Sequence, residues 1–266
     1  MNEMKKPKTA AIHGRLWSAG ARDWAEFQEV NFRPAYEAVF ARVGLKAGMA
    51  YLDVGCGAGL AANIAASRGV RVSGVDAAEG LLAIARQRTP KGDFRLGDLE
   101  ELPFADRSFD IVTGFNSFQF AGNPAAALAE ARRVTKPGGT IAILTWGKPE
   151  GMEMASLVTA RRPLMPPPPP GTPGPFALSD ETALRAFAAS GGLKPEEIFD
   201  VPCAFAYPDL ATALRGLKSS GDALKTVEIA GEAVVDAAHE KALAPFRQKD
   251  GGYKAKGTFR CLLARP

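Results

Sequence analysis

The clearest pattern in the chain is a short apolar run that breaks into spaced glycines. Tyr51-Leu52-Asp53-Val54 leads into Gly55, Gly57 and Gly59, and an alanine-rich stretch, Leu60 to Ser67, follows. This order predicts a strand, a tight turn and a helix start. Further strands follow downstream, with no internal repeat. Arg71 to Val75 reads as a second strand, Phe94 to Leu96 as a third and Ser108 to Phe115 as a fourth. Ala125 to Val134 is helical, Lys136 to Gly139 is a turn, and Thr140 to Thr145 is a fifth strand rich in β-branched residues. Residues 193–206 predict strand six and 253–264 strand seven, its antiparallel partner. Between them, 210–217 and 231–246 read as helices, with Ala233, Ala237, Lys241 and Ala244 near one face.

Three stretches follow from this reading. Residues 1–10 form a tail predicted to be disordered, with a basic cluster at Lys5, Lys6 and Lys8. Residues 11–44 form one or two helices rich in aromatics: Trp17, Trp24, Phe27, Phe32, Tyr36 and Phe40. Within them, 34–44 are expected to pack on the sheet, Tyr36 and Phe40 being one helical turn apart, and 13–24 to cover a ligand pocket. Residues 45–266 are the main domain. They carry an insertion at about 148–178, a lid near Met152 to Leu164 and then five prolines, Pro166 to Pro170, read as a stiff extended spacer. A helix starts near Glu181, capped by Ser179 or Asp180.

The glycine turn marks where a nucleotide-like ligand approaches the backbone in an α/β protein. A pyrophosphate-binding turn has the spacing G-x-G-x-x-G, whereas here the third glycine comes one residue early. An acid, Asp53, also precedes the turn, which would repel a pyrophosphate and suits a cationic ammonium. Both features argue against a nicotinamide dehydrogenase. Asp76 ends strand two about 20 residues after the turn, where an acid can accept hydrogen bonds from ribose hydroxyls. The alternatives are a plain turn that needs small residues and a solvated loop acid.

Composition bounds the rest. The 266 residues carry 33 basic and 29 acidic side chains, a net charge of +4 interspersed along the chain, so nucleic-acid binding is not expected. No apolar run reaches the roughly 20 residues of a membrane span, and no apolar leader opens the chain. Three cysteines without pairing logic point to a reducing cytoplasm, with Cys203 and Cys261 expected in the core. Two histidines, His13 and His239, make a histidine-based metal site improbable, and no metal is expected.

Four stretches together, LDVGCGAG at 52–59, VSGVD at 72–76, GDLEELPFADRSFDIV at 97–112 and EARRVTKPGGTIAI at 130–143, resemble the class I S-adenosylmethionine-dependent methyltransferases. The resemblance is to the type 11 domain, the group that includes the quinone-pathway enzymes. It covers about the first 150 residues; no motif is assigned in the C-terminal third. It implies a Rossmann-like α/β sandwich, with a seven-stranded, mostly parallel sheet, an antiparallel last strand and helices on both faces.

It also implies site roles. Gly55, Cys56, Gly57 and Gly59 would wrap the methionine part of S-adenosylmethionine, with Asp53 near its ammonium. Asp76 would hold the ribose hydroxyls, with Ala77 and Leu81 beside the adenine. Asp98 would accept from the adenine amino group, Leu99 would pack near the ring, and Asn116 would face the methionine end through its backbone. Gln119 is expected to line the pocket. No general base is identified, His13 being the one candidate weighed. The implied activity is methyl transfer to oxygen, carbon or nitrogen of a small-molecule acceptor, by a cytoplasmic monomer or homodimer. The alternative is a regulatory or structural subunit that binds the cofactor without turnover.

Overall fold

A computed structural model describes residues 9–169 and 172–266. Seven strands form one sheet in the order β3-β2-β1-β4-β5-β7-β6. They are β1 (Ala50–Val54), β2 (Arg71–Asp76), β3 (Asp93–Leu96), β4 (Phe109–Phe115), β5 (Thr135–Trp146), β6 (Lys194–Tyr207) and β7 (Tyr253–Arg265). The first five run parallel; both pairings of β7 are antiparallel. All five residues of β1 are buried, as expected for a central strand covered on both faces.

Side chains alternate between two cores. Tyr51 joins a cluster with α3 (Arg33–Arg42) and α4 (Leu60–Ser67); Leu52 and Val54 join another with α6 (Pro124–Val134) and α8 (Glu181–Ser190). Helix α5 (Glu79–Arg88) packs with the first group through Leu82 and Ala85. At the far end of β5, β7 and β6 the rings pack as an array. Phe259 lies 4.7 Å from both Trp146 and Phe32, and Phe205 contacts Phe32 edge-on at 5.7 Å.

Several local features differ from expectation. The N-terminal helical run is broken into α1 (Ala10–Ala19), a short α2 (Ala21–Asp23), a π turn at Trp24–Gln28 and a 3-10 turn at Glu29–Phe32. β5 begins at Thr135, and the expected turn survives as an irregularity in its pairing with β4, where the register shifts between Phe109 and Ile111. Asp180, not Ser179, caps α8: its carboxylate accepts from the Ala183 N–H at 2.9 Å, while the Ser179 carbonyl accepts from Arg260.

Three helices lie between β6 and β7: α9 (Leu210–Lys218), α10 (Gly221–Ala230) and α11 (Glu232–Leu243). Sequence reading left α10 unassigned. Ser220 caps it, and Gly231 at φ 86° separates it from α11. The alanines noted on α11 face solvent; Val235, His239 and Leu243 form its buried face.

Residues Met152, Met154 and Leu157, around α7 (Met154–Thr159), are buried against the ring array. Pro166 to Pro169 are exposed, whereas Pro170 and the tail residues 1–8, with Lys5, Lys6 and Lys8, lie outside the described residues. All three cysteines are unpaired and buried. Among the described residues no helix is long and apolar enough to cross a membrane.

Phe259 is fully buried at the centre of the ring array. Phe259→Ala should lower the unfolding free energy by about 3–5 kcal/mol, read by urea titration. A loss under about 1 kcal/mol would show that the array packs loosely.

Candidate functional site

The turn after β1 is built by the end of β2. Gly55 and Cys56 donate their N–H groups to the Val75 carbonyl at 2.8 and 3.0 Å, and Gly57 donates to Asp76 Oδ2 at 2.8 Å. Gly55 and Gly57 take φ of 75° and 54°, values that side chains resist. The other Asp76 oxygen accepts from the Ala78 N–H at 2.9 Å. The carboxylate is thus fixed at the mouth of the turn.

A cleft opens over the C-terminal ends of β1, β2 and β4, with about 800 Å3 of unfilled space, the open solvent at its mouth included. Of the expected site residues, Gly55, Gly57, Asp76, Ala77, Leu81, Asp98, Leu99 and Asn116 line it. Asp53, Cys56 and Gly59 do not. Asp53 lies behind the wall, accepting from Thr113 Oγ1 at 2.8 Å. The Cys56 side chain packs toward Gly74 and Phe94 in the sheet, and Gly59 faces Ala85 of α5, where a Cβ would come within 2.7 Å. Gln119 is also outside the lining; its amide donates to Asn116 Oδ1 at 2.5 Å. Asp98 accepts from the Glu100 N–H at 3.0 Å.

The N-terminal segment forms the roof. Thr9, Ala10, His13, Trp17 and Trp24 line the cleft, as do Phe32 and Tyr36 further on. Helix α1 sits directly on the loop after β2: a Cβ at Gly14 would fall 2.2 Å from the Ala77 carbonyl oxygen. Residues 148–165 do not line this cleft. Tyr36 both packs on the sheet and reaches the site, a dual role that sequence reading missed. The spacing of Trp24, Phe32 and Tyr36 by multiples of four would have put all three on one helical face.

The site is electrostatically negative behind its wall. Glu29, Asp53 and Asp76 are each held above the ordinary carboxylate range, first by burial. Asp53 is pushed up to about 7, because burial is reinforced by Glu29 and Asp76 against hydrogen bonds from Thr113 and Tyr51. Arg88 faces this group, pairing with Glu29 and donating to the Ala58 and Ala25 carbonyls at 2.9 and 2.8 Å. It ties the roof to the glycine turn. Burial lowers the His13 pKa, opposed by Asp222, and its Nδ1 is occluded without a partner. Among the described residues no group of three or more His, Cys, Asp or Glu side chains is arranged to hold a metal ion.

A larger cleft, about 960 Å3 by the same measure, lies at the opposite ends of the parallel strands. Its charges are paired: Arg42 with Glu197 at 2.8 Å, Lys136 with Asp110 at 2.8 Å and Arg265 with Glu196 at 2.9 Å. Ligands of open α/β sheets bind at the carboxyl ends of the strands, which selects the smaller cleft.

The model of a methyltransferase domain, type 11, matches residues 52–143, the stretch that carries β1 to β5 and the turn. The chain is 40% identical over 107 residues to demethylmenaquinone methyltransferase of Renibacterium salmoninarum, covering 40% of the chain and 45% of that protein. It is 43% identical over 94 residues to malonyl-acyl-carrier-protein O-methyltransferase of Serratia marcescens, covering 35% of the chain and 37% of that protein. The chain thus spans under half the length of these curated relatives.

Among solved structures, a methyltransferase described as putative, from Bacillus halodurans, is similar over 86% of this chain and 97% of its own, with a TM-score of 0.54 and 19% identity. The cyclase SpnF is similar over 87% of this chain and 80% of its own, with a TM-score of 0.55 and 23% identity. At these identities the likeness is one of fold: the Rossmann-like class I methyltransferase sandwich.

The raised Asp53 pKa has a stability signature. The folded state keeps this proton up to about pH 7, whereas an unfolded Asp releases it near pH 3.9. The folded state therefore binds more protons between about pH 4 and pH 7, and stability falls as pH rises through that window. Glu29 and Asp76 act in the same direction. Asp53→Asn should flatten the fall in melting temperature between pH 5 and pH 8. Parallel curves for the two proteins would place the Asp53 pKa near its ordinary value.

Proposed function

We propose that this chain transfers the methyl group of S-adenosylmethionine to a small-molecule acceptor. The reading is carried by one observation. Residues from the ends of β1, β2 and β4 and the loop after β3, each expected to touch the cofactor, open onto a single roofed cleft. The cofactor fits the shape of the turn. A Cβ added at Gly57 would project toward Trp24 Nε1 at 3.6 Å and Glu29 at 3.7 Å, filling the cradle that the missing side chain leaves. Asp76 would take the ribose hydroxyls, Asp98 the adenine amino group, and the backbone at Gly55 and Asn116 the methionine end. Asp53, Cys56 and Gly59 would then support the turn from behind, the Asp53 charge acting on the ammonium through the wall.

When bound, the cofactor supplies a methyl on positively charged sulfur: the acceptor atom bonds the carbon, the C–S electron pair stays on sulfur, and the acceptor's proton leaves. The chain's share is alignment and dryness. Trp17 and Trp24 form the roof, their rings 4.8 Å apart edge to face. The named relatives act on a quinone precursor and on a carrier-bound malonyl group; both fit a domain that varies its acceptor around a fixed cofactor site. The reading calls for no metal and no nucleic acid, and for a cytoplasmic monomer or homodimer.

Calorimetry should detect binding of S-adenosylmethionine and S-adenosylhomocysteine and none of NAD. Asp76→Ala should weaken S-adenosylhomocysteine binding roughly 10- to 100-fold through lost charge-assisted hydrogen bonds. A folded mutant of unchanged affinity would move the ribose elsewhere. Release of S-adenosylhomocysteine with an acceptor panel separates an enzyme from a non-catalytic binding subunit.

A further inference from the structure

The cleft lining combines two kinds of group: polar ones at the glycine turn, Asp76 and Asp98, and a set of rings, Trp24, Phe32, Tyr36 and Phe115. Tyr36 lies 4.6 Å from Phe115 and 6.2 Å from Phe32, which lies 5.6 Å from Trp24. Trp146 and Phe259 back this wall, at 6.3 and 4.7 Å from Phe32. Among the described residues no Lys or Arg lines the cleft.

One polar atom in this wall stands out. Two other buried tyrosine hydroxyls are satisfied: Tyr51 bonds Thr113 Oγ1 at 2.7 Å, and Tyr207 donates to Gln28 at 2.6 Å. Tyr36 is only 5% exposed. Its hydroxyl has no hydrogen-bond partner among the described residues, yet it is not among the occluded unpaired atoms. It therefore opens to the cleft. A hydroxyl left unpaired in an apolar wall is costly unless a ligand meets it.

We propose that the wall formed by Phe32, Tyr36 and Phe115 is the acceptor subsite, and that it takes an uncharged flat ring bearing a hydroxyl group, oriented by a hydrogen bond from Tyr36. This rests on the methyl-transfer reading above. Among the described residues the lining offers an acidic acceptor no side-chain cation to pair with. A neutral ring stacks on Tyr36 and Phe115 at ordinary distances and needs no counter-charge. Burial, with Glu29 and Asp53 adding, keeps the Tyr36 phenol protonated. It is therefore a donor to the acceptor oxygen and not a base, which makes Tyr36 a specificity-determining residue.

Calorimetry on the full chain saturated with S-adenosylhomocysteine tests this, with 2-naphthol, naphthalene, sarcosine and monoethyl malonate as probes. The expected result is that 2-naphthol binds at least 10-fold tighter than sarcosine or monoethyl malonate. Tyr36→Phe should weaken 2-naphthol roughly 5- to 10-fold and leave naphthalene and S-adenosylhomocysteine unchanged. A merely structural role for Tyr36 would move both ring probes equally, and that result overturns the assignment. So does tighter binding of either charged probe, or failure of both ring probes while S-adenosylhomocysteine binds. Phe115→Ala should weaken both ring probes together. If S-adenosylhomocysteine itself does not bind, the cofactor reading fails, not the acceptor assignment alone.

Discussion

The turn after β1 depends on the end of β2. Three consecutive N–H groups, from Gly55, Cys56 and Gly57, are taken by the Val75 carbonyl and the Asp76 carboxylate. Buried backbone donors must be paired, and here the partner on one side is an ionisable side chain. Asp76 is therefore structural before it is functional. It holds Gly57 in its left-handed conformation, and the same carboxylate keeps lone pairs directed into the cleft. Fixing the turn and meeting a ribose are one geometric requirement. The spacing between Gly57 and Asp76 follows from the length of a helix and a strand that must return to the neighbouring position in the sheet.

Charge is the second constraint. Buried Glu29 and Asp53 and half-buried Asp76 surround one turn, and Arg88 is the cation that pairs with Glu29. Uncompensated buried carboxylates raise their own pKa values, and the raised Asp53 value is the residue of that imbalance. A ligand with a sulfonium and an ammonium would relieve it. An anionic dinucleotide would aggravate it. Cofactor class is thus written in the field of the wall as well as in the glycine spacing, and the two agree.

Much of the fold was legible because its signals are local. An apolar run buried on both faces, glycines needing positive φ, and acids at strand ends are all visible in a few residues. What escaped depends on distant partners. Helix α10 is short, and its inner face is defined by α1: Gly221 of α10 lies against the Trp17 ring, where a Cβ would come within 2.6 Å. Asp53 carries the right charge, but its orientation was set by Thr113, 60 residues away. Tyr36 looked like ordinary helix packing, and it is. That its hydroxyl also reaches the cleft depends on where β4 ends.

The roof is held from two sides. Gly14 lets α1 touch the backbone after β2, and Gly20 meets the Ser219 carbonyl beyond α9, where a Cβ would fall 2.2 Å away. Arg88 adds a tie to Ala25 and Glu29 from α5. Residues 13–24 are therefore packed against the nucleotide fold on one flank and the helical insertion on the other. A flap hinged at one end would need neither glycine contact. The helical insertion between β6 and β7 thereby acquires a role at a site that none of its residues lines: it holds down the segment that does.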